Sequence, residues 1–142
     1  MEGQYEINVK LKNDKVQFTA QTRNNPEVIC DYFPPFGDGQ GYTGLELLLM
    51  SLAVCSGTSV LGLLRKFGKT ITGLSIHAKG TLKDEHPKAF SQIFLEFSVT
   101  SKDASDPDVQ KAIQLSEEKI CPVWSLLKNN VEVITGFTNV CM

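Results

Sequence analysis

The hydrophobic pattern of the chain is strongest between Thr43 and Gly68, in a long apolar stretch with a clear helix start and stop. The start is a Thr43-x-x-Glu46 capping pattern, and the stop is a basic pair followed by Phe-Gly. Apolar residues recur at three- and four-residue spacings on one face and also fill the opposite face. A helix that is apolar all round is buried, so the pattern predicts a long central helix. A small monomer has difficulty surrounding such a helix, which favours dimerisation around it.

The same stretch touches the lower length limit for a membrane span, because residues 47–64 contain no charge. Small polar residues and glycines dilute that run, however, and the rest of the chain consists of amphipathic segments. We therefore predict a central helix of a globular protein, with no membrane as a partner.

Alternation of apolar and polar residues predicts strands on both sides of this helix. Before it, residues 5–20 form a predicted hairpin, residues 28–32 a third short strand, and the Pro- and Gly-rich segment 34–42 a loop leading into the helix. After it, residues 74–82 and 93–99 alternate again and predict a second antiparallel hairpin.

The C-terminal part is predicted to contain two helices and a last strand. Ser105-Asp106-Pro107 is a helix start, and the inner face of this helix is marked by Val109, Ala112, Ile113, Ser116 and Ile120. Pro122 interrupts the helix at Cys121 and suits the first turn of a new helix over 123–128. Cys121 then lies near a helix N-terminus, where the dipole and free amides favour a thiolate. A strand over 131–135 and a tail from residue 136 complete the chain.

Composition narrows the class of protein. A length of 142 residues with 42% hydrophobic content fits one domain, residues 1–142. The net charge of −2 and the pI near 5.7 show no basic excess, which argues against a nucleic acid partner. The Met-Glu-Gly-Gln start has no basic region followed by an apolar run, so no secretory signal is expected and the predicted compartment is the cytoplasm.

The candidate chemistry lies in four cysteines that are too widely spaced for a Cys-x-x-Cys motif. In a reducing compartment they are reactive thiols or small buried hydrophobes. We expect Cys30 to be a core residue of the third strand and assign no role to Cys141. The two histidines have no metal-spaced partners, so no metal site is expected. Two prolines precede the apparent Gly-x-Gly-x-x-Gly match at residues 39–44, so no dinucleotide or other cofactor is expected either.

The predicted element order and three motifs together resemble the OsmC/Ohr family of thiol-dependent peroxidases over nearly the whole chain. The motifs are Gly-Tyr-Thr-Gly-Leu-Glu-Leu-Leu-Leu at 41–49 followed by Cys55, Glu-His-Pro-Lys-Ala-Phe at 85–90, and Ser-Glu-Glu-Lys-Ile-Cys-Pro-Val at 116–123. Family members commonly have proline where this chain has Gly44. Ohr-type members place an arginine in the turn after the second strand, a place that Arg23 fills, whereas OsmC-type members place it later.

The resemblance implies an α+β fold in an intertwined homodimer, with antiparallel sheets wrapped around two central helices per chain and two active sites at the interface. Helix geometry agrees with a dimer, because Glu46 and Cys55 are nine residues apart, about 13.5 Å of rise and about half a turn out of phase. They cannot meet within one helix. If Glu46 serves a site that contains Cys55, it does so in the partner subunit.

The resemblance also implies a mechanism. Peroxide reduction needs a thiolate, and an unperturbed cysteine ionises near pH 8.5, so a cation is required. The hypothesis is that Arg23, held by Glu46, stabilises the Cys55 thiolate and polarises the peroxide. Cys55 becomes a sulfenic acid, Cys121 condenses with it to a disulfide, and a dithiol or lipoyl-type reductant restores both thiols. Apolar walls around the site would favour organic hydroperoxides.

Two other interpretations stay open. The Lys-Phe-Gly-Lys sequence at 66–69 and the His-Pro-x-x-Phe sequence at 86–90 resemble a branch of OsmC-like proteins that are not clearly assigned as peroxidases. The first alternative is therefore a dimeric binding protein for a small apolar or thiol-reactive ligand, without significant turnover. The second is a purely structural dimer, for which the pKa of Cys55 would not be depressed.

Overall fold

The computed structural model describes residues 3–142, which form two compact units, one ending at Leu47 and the other spanning Leu48–Met142. The elements in chain order are β1 Asn8–Leu11, β2 Phe18–Gln21, β3 Val28–Cys30, α1 Gly44–Lys66, β4 Ile71–Leu82, β5 Phe90–Ser101, α2 Asp106–Leu115, a π-helical turn Ser116–Ile120, α3 Pro122–Leu127 and β6 Glu132–Val140. The predicted α+β class and the predicted element order are confirmed.

The first unit contains a three-stranded antiparallel sheet in the order β1-β2-β3. Val9 pairs with Ala20 and Thr19 pairs with Ile29, so the predicted hairpin and third strand are present, although the strands are shorter than predicted. Alternating apolar side chains of the hairpin are largely exposed in a single chain, including Ile7.

A buried carboxylate organises the loop between β3 and α1. The side chain of Asp31 accepts hydrogen bonds from the backbone amides of Tyr32 at 2.8 Å, Gln40 at 3.1 Å and Asp38 at 3.3 Å. Burial acts to raise the pKa of Asp31, but the three amides outweigh it and hold that pKa below its ordinary value. A Cβ at Gly37 would collide with this carboxylate, so only glycine fits there. The Pro- and Gly-rich loop is therefore a defined structure that leads into α1.

The second unit contains a mixed sheet in the order β4-β5-β6. β4 and β5 form the predicted antiparallel hairpin, with Ile76 opposite Phe97, while β6 runs parallel to β5, with Ile93 opposite Val133. The parallel pairing follows from the connection, because the chain crosses over through α2 and α3 before it returns to the sheet. β6 also extends to Val140, so the tail predicted from residue 136 is wrong for most of its length.

The hydrophobic core of the second unit lies between β5 and the helices. Alternate residues of β5 point into it together with one face of α1, the inner face of α2 and the Trp124 side chain of α3. The fully buried apolar residues are Leu52, Val60, Leu64, Ile93, Leu95, Phe97, Val99, Val109 and Ala112. One face of α1 is therefore part of the core of this unit.

Two features of α1 agree with the sequence-based expectations and one does not. Its predicted cap is confirmed, because the Thr43 amide donates to Glu46 Oε1 at 2.8 Å and the Glu46 amide donates to Thr43 Oγ1 at 3.2 Å. By length and apolar composition α1 could cross a membrane, but the core helices of soluble proteins meet the same two criteria. The expectation that α1 is buried on all sides is not met in a single chain, because Met50 and Val54 are exposed.

The helical segment after β5 begins as predicted and then changes geometry. Ser105 caps α2 in a capping box with Asp108, and the segment from Ser116 to Ile120 is a π-helical turn. The prediction that Ile120 lies on the inner face is wrong, since this residue is 51% exposed. In an α-helix, residue 120 would lie one turn after Ser116 and therefore on the same inner face. The π turn contains one more residue, so the inner position is taken by Cys121, which is 2% exposed.

Replacing Leu64 by alanine tests the core. Leu64 is fully buried, so Leu64→Ala should lower the free energy of unfolding by about 2–5 kcal/mol, measured by urea denaturation. Leu126→Ala is the matched control, because Leu126 is 77% exposed and should lose little stability. Equal losses in the two variants would contradict the described core.

Candidate active site

The first thiol of the candidate site, Cys121, lies at the start of α3 and is buried. The preceding π turn closes with a hydrogen bond from the Cys121 amide to the Ser116 carbonyl at 2.9 Å, and Pro122 then occupies the first position of α3. The Cys121 Sγ accepts a hydrogen bond from the Trp124 amide at 3.4 Å. The sulfur therefore serves as the N-cap acceptor of the short helix, and the predicted place of Cys121 near a helix N-terminus is observed.

The second thiol, Cys55, projects from the middle of α1 toward the same place. It is half-buried and packs against the core cluster that includes Cys121. The Cys121 thiol and the backbone amide of Val123 lie close enough to Cys55 to influence the pKa of its thiol. Both cysteines are free thiols. The structure thus brings together the two sulfurs that the sequence places on separate helices.

The electrostatic environment of Cys55 opposes its ionisation in a single chain. Burial raises the pKa of the Cys55 thiol above its ordinary value, and the neighbouring Cys121 thiol raises it further, while the Val123 amide acts in the opposite direction. No cationic group contributes to this pKa among the residues that the structure describes. A single chain therefore lacks the activation that a nucleophilic thiolate needs.

Ser56 completes the polar surroundings of the two sulfurs. Its side chain is fully buried, and its Oγ lies 3.7 Å from the Cys121 Sγ. Sequence analysis did not single out Ser56, Val123 or Trp124 as site residues. Trp124 follows from the Cys-Pro helix start, since a capping acceptor bonds an amide two or three residues ahead, whereas the Val123 amide acts on Cys55 instead. The orientation of Ser56 has no comparable signal in the sequence.

The two other predicted site residues lie in the first unit. Glu46 is exposed and its carboxylate is used in the α1 cap. Arg23 is exposed in the turn after β2, with a positive φ of 57°. Within residues 3–142 the ion pairs are Lys15–Asp38 and Lys69–Asp108, so Arg23 is not paired with Glu46 here. The predicted ion pair between Glu46 and Arg23 is therefore not observed in a single chain.

The remaining cysteines and the histidines lie outside this site. Cys30 is half-buried at the end of β3, and Cys141 is exposed after β6. Over the described range 3–142, no three His, Cys, Asp or Glu side chains cluster in a way that could hold a metal ion. The chemistry available at the site is that of two adjacent thiols.

A comparison with protein families identifies the class of protein. The profile of the OsmC-like protein family matches residues 37–136, a range that includes both Cys55 and Cys121. The chain belongs to the OsmC-like protein family.

Individual relatives extend this result. The chain is similar to protein YhfA of Escherichia coli K12, with 32% identity over 93 residues that cover 66% of this chain and 69% of YhfA. A solved structure of a hypothetical protein from Aquifex aeolicus matches with a TM-score of 0.84 and 25% identity over 98% of this chain and 97% of that one. The organic hydroperoxide resistance protein OhrB of Bacillus subtilis matches with a TM-score of 0.67 and 16% identity over 95% and 98% of the two chains, which shows the shared fold.

The influence of Cys121 on Cys55 can be measured directly. Because the Cys121 thiol raises the pKa of Cys55, the Cys121→Ser variant should have a lower midpoint in the pH profile of Cys55 alkylation by iodoacetamide, followed by peptide mass spectrometry. Cys141→Ser is the control and should leave the midpoint unchanged. A midpoint that stays the same or rises in Cys121→Ser would contradict the described contact.

Proposed function

We propose that this protein is a thiol-dependent peroxidase that reduces organic hydroperoxides in oxidative-stress defence in the cytoplasm. The observation that supports it most is the adjacency of the Cys55 and Cys121 thiols, contributed by two different helices. A half-buried thiol beside a fully buried one is the arrangement that a peroxide-attacking and a resolving cysteine need. Membership in the OsmC-like family supports the same conclusion.

The proposed reaction has three steps. The Cys55 thiolate attacks one peroxide oxygen, so that an S–O bond forms, the O–O bond breaks, and the alkoxide leaves and takes a proton to become an alcohol. The Cys121 thiolate then attacks the sulfur of the Cys55 sulfenic acid, an S–S bond forms and hydroxide leaves as water. A dithiol or lipoyl-type reductant finally converts the disulfide back to two thiols and is itself oxidised to a disulfide.

The proposal requires a cation, because burial raises the pKa of Cys55 in a single chain. We assign this role to Arg23, held by Glu46, from the partner subunit of a homodimer. Helix α1 supports this assignment, since Glu46 and Cys55 are separated by about 13.5 Å of helical rise and about half a turn. A guanidinium suits the task, because it stays charged and presents several donors to a peroxide oxygen.

The proposed homodimer is supported by apolar surface that a single chain leaves uncovered. Met50 and Val54 on α1 are 41% and 68% exposed, and an open groove beside Val54 is lined by Leu61, Leu74 and Ile76. Large exposed apolar side chains grouped on one face mark interaction sites. The family match at 37–136 spans both compact units, which supports residues 1–142 as one OsmC-like domain.

The raised pKa of Cys55 also favours a second candidate function. A thiol that stays protonated is a poor nucleophile toward peroxide, and the protein would then be an OsmC-like dimeric binding protein for a small apolar or thiol-reactive ligand. The two functions differ in turnover. Steady consumption of cumene hydroperoxide with dihydrolipoamide as reductant supports the peroxidase, and ligand protection of Cys55 without consumption supports the binding protein.

The disulfide step gives a direct test. One equivalent of cumene hydroperoxide added to reduced protein should produce a Cys55–Cys121 disulfide, detected by peptide mass spectrometry, because the sulfenic acid forms next to the second thiol. Cys55→Ser should abolish peroxide consumption, while Cys30→Ser, which changes a thiol outside the site, should retain it. A wild-type protein with both thiols intact after peroxide, or activity that survives Cys55→Ser, would contradict the proposal.

The origin of Glu46 and Arg23 can be tested by mixing subunits. If Glu46 acts on the Cys55 of the partner subunit, then Glu46→Ala and Cys55→Ser proteins are each inactive but form heterodimers with one intact site. A one-to-one mixture, unfolded and refolded together, should regain roughly a quarter of wild-type peroxidase activity. The same recovery is expected for Arg23→Asn mixed with Cys55→Ser, because asparagine removes the charge and tolerates the φ of 57°.

Two further results decide this assignment. Lys10→Ala removes an exposed charge from β1 and should keep full activity in the unmixed protein. Full activity of Arg23→Asn alone, or a mixture with no recovery although mass spectrometry shows heterodimers, would exclude the assigned residues.

A further inference from the structure

The hydroxyl of Ser56 has an unusual partner for a serine inside a helix. Ser56 follows Cys55 on α1, is fully buried, and directs its Oγ to the Cys121 Sγ at 3.7 Å, within hydrogen-bonding range for sulfur. A buried hydroxyl without a hydrogen-bond partner would cost free energy, so this contact satisfies the hydrogen-bonding requirement of the Ser56 hydroxyl. It also links α1 to the N-cap residue of α3.

Neighbouring hydroxyls on the same helix behave differently. Thr58 donates to the Val54 carbonyl at 2.8 Å, and Ser59 donates to the Cys55 carbonyl at 3.0 Å, each one turn back along α1. This bond to the preceding turn is the ordinary choice of a helical hydroxyl. Ser56 instead points across to the second helix, so its contact with Cys121 is a feature of the thiol site.

The direction of the Ser56 hydrogen bond depends on the state of Cys121. With a neutral thiol, either group can donate. With a thiolate, only the Ser56 hydroxyl can donate, and it joins the Trp124 amide, 3.4 Å from the same sulfur, as a second donor. Donors to an ionised acceptor form stronger hydrogen bonds than donors to a neutral one. A disulfide sulfur carries no charge and has no proton to donate. Hydrogen bonds from Ser56 and Trp124 therefore stabilise the disulfide less than the thiol or the thiolate.

We propose that Ser56 is a positioning residue that stabilises the reduced form of Cys121 and thereby sets the redox equilibrium between the Cys55–Cys121 dithiol and its disulfide. This inference rests on the proposed function, because it requires that the two thiols form a disulfide. It adds a residue that acts through Cys121 and makes no contact with the peroxide.

The same contact determines which sulfur leaves when the disulfide is reduced. Cys121 is 2% exposed while Cys55 is half-buried, so the thiolate of an incoming dithiol attacks the Cys55 sulfur. A new S–S bond forms to Cys55, the Cys55–Cys121 bond breaks, and Cys121 leaves as the thiolate that Ser56 and Trp124 stabilise. The second thiol of the reductant then releases Cys55 and closes the reductant's own disulfide.

The test compares two serines of one helix. Wild type, Ser56→Ala and Ser59→Ala are equilibrated with mixtures of reduced and oxidised dithiothreitol, and the Cys55–Cys121 disulfide is quantified by peptide mass spectrometry. Ser56→Ala should shift the equilibrium roughly threefold to tenfold toward the disulfide, because removing one hydrogen bond destabilises the reduced form. A tenfold shift is about 30 mV toward a more negative potential. Ser59→Ala should match the wild type, since its hydroxyl bonds the α1 backbone.

A second measurement separates this effect from a general loss of stability. Urea denaturation of the reduced and the oxidised proteins should show that Ser56→Ala weakens the reduced form more than the oxidised form, as the shifted equilibrium requires. Equal weakening of both forms, or equal potentials of Ser56→Ala and Ser59→Ala, would overturn the role of Ser56 while leaving the proposed peroxidase intact. Failure of the wild type to form the disulfide in any dithiothreitol mixture would overturn both proposals.

Discussion

The position of the Cys121 sulfur beside Ser56 and near Cys55 depends on the phase of the helical segment before Cys121. A continuous α-helix after Ser116 would place Ile120 over the core and turn the cysteine aside. The π-helical turn Ser116–Ile120 adds one residue to that turn, which puts Ile120 outside and the Cys121 sulfur inside, 3.7 Å from Ser56. Pro122 then stops the turn and starts α3. A local change of helical pitch therefore builds the site, in agreement with the frequent occurrence of π turns at functional positions.

Burial works for and against the chemistry of this site. It packs Cys55 against the core cluster that contains Cys121, but it also raises the pKa of Cys55 and so disfavours the nucleophile. The donors present in a single chain are neutral amides and a hydroxyl, and they serve Cys121 better than Cys55. This imbalance is the physical reason for proposing a charge from a second chain, and it is also why a binding function is proposed as the alternative to the peroxidase.

Much of the fold could be predicted because its signals are local. The Thr43 and Ser105 caps, the alternating strands and the Cys-Pro helix start each depend on residues within a few positions of one another. The parallel pairing of β6 with β5 was missed, because pairing direction is set by a crossover whose path no local pattern specifies. The π turn was missed for a related reason: the apolar spacing of α2 continues smoothly to Ile120, and only the packed structure shows that the core prefers Cys121 there.

The two sulfurs of the site differ in their exposure to solvent. Cys55 is half-buried, while Cys121 is enclosed by Ser56, Trp124 and the core. In the proposed reaction, a peroxide therefore meets Cys55 first, and so does the reductant after the disulfide has formed. Because Cys121 is both the resolving thiol and the leaving group in that reaction, the donors around it act on two of its steps. In the proposed cycle, the polar contacts of the enclosed Cys121 sulfur are for this reason as important as the activation of the Cys55 thiol.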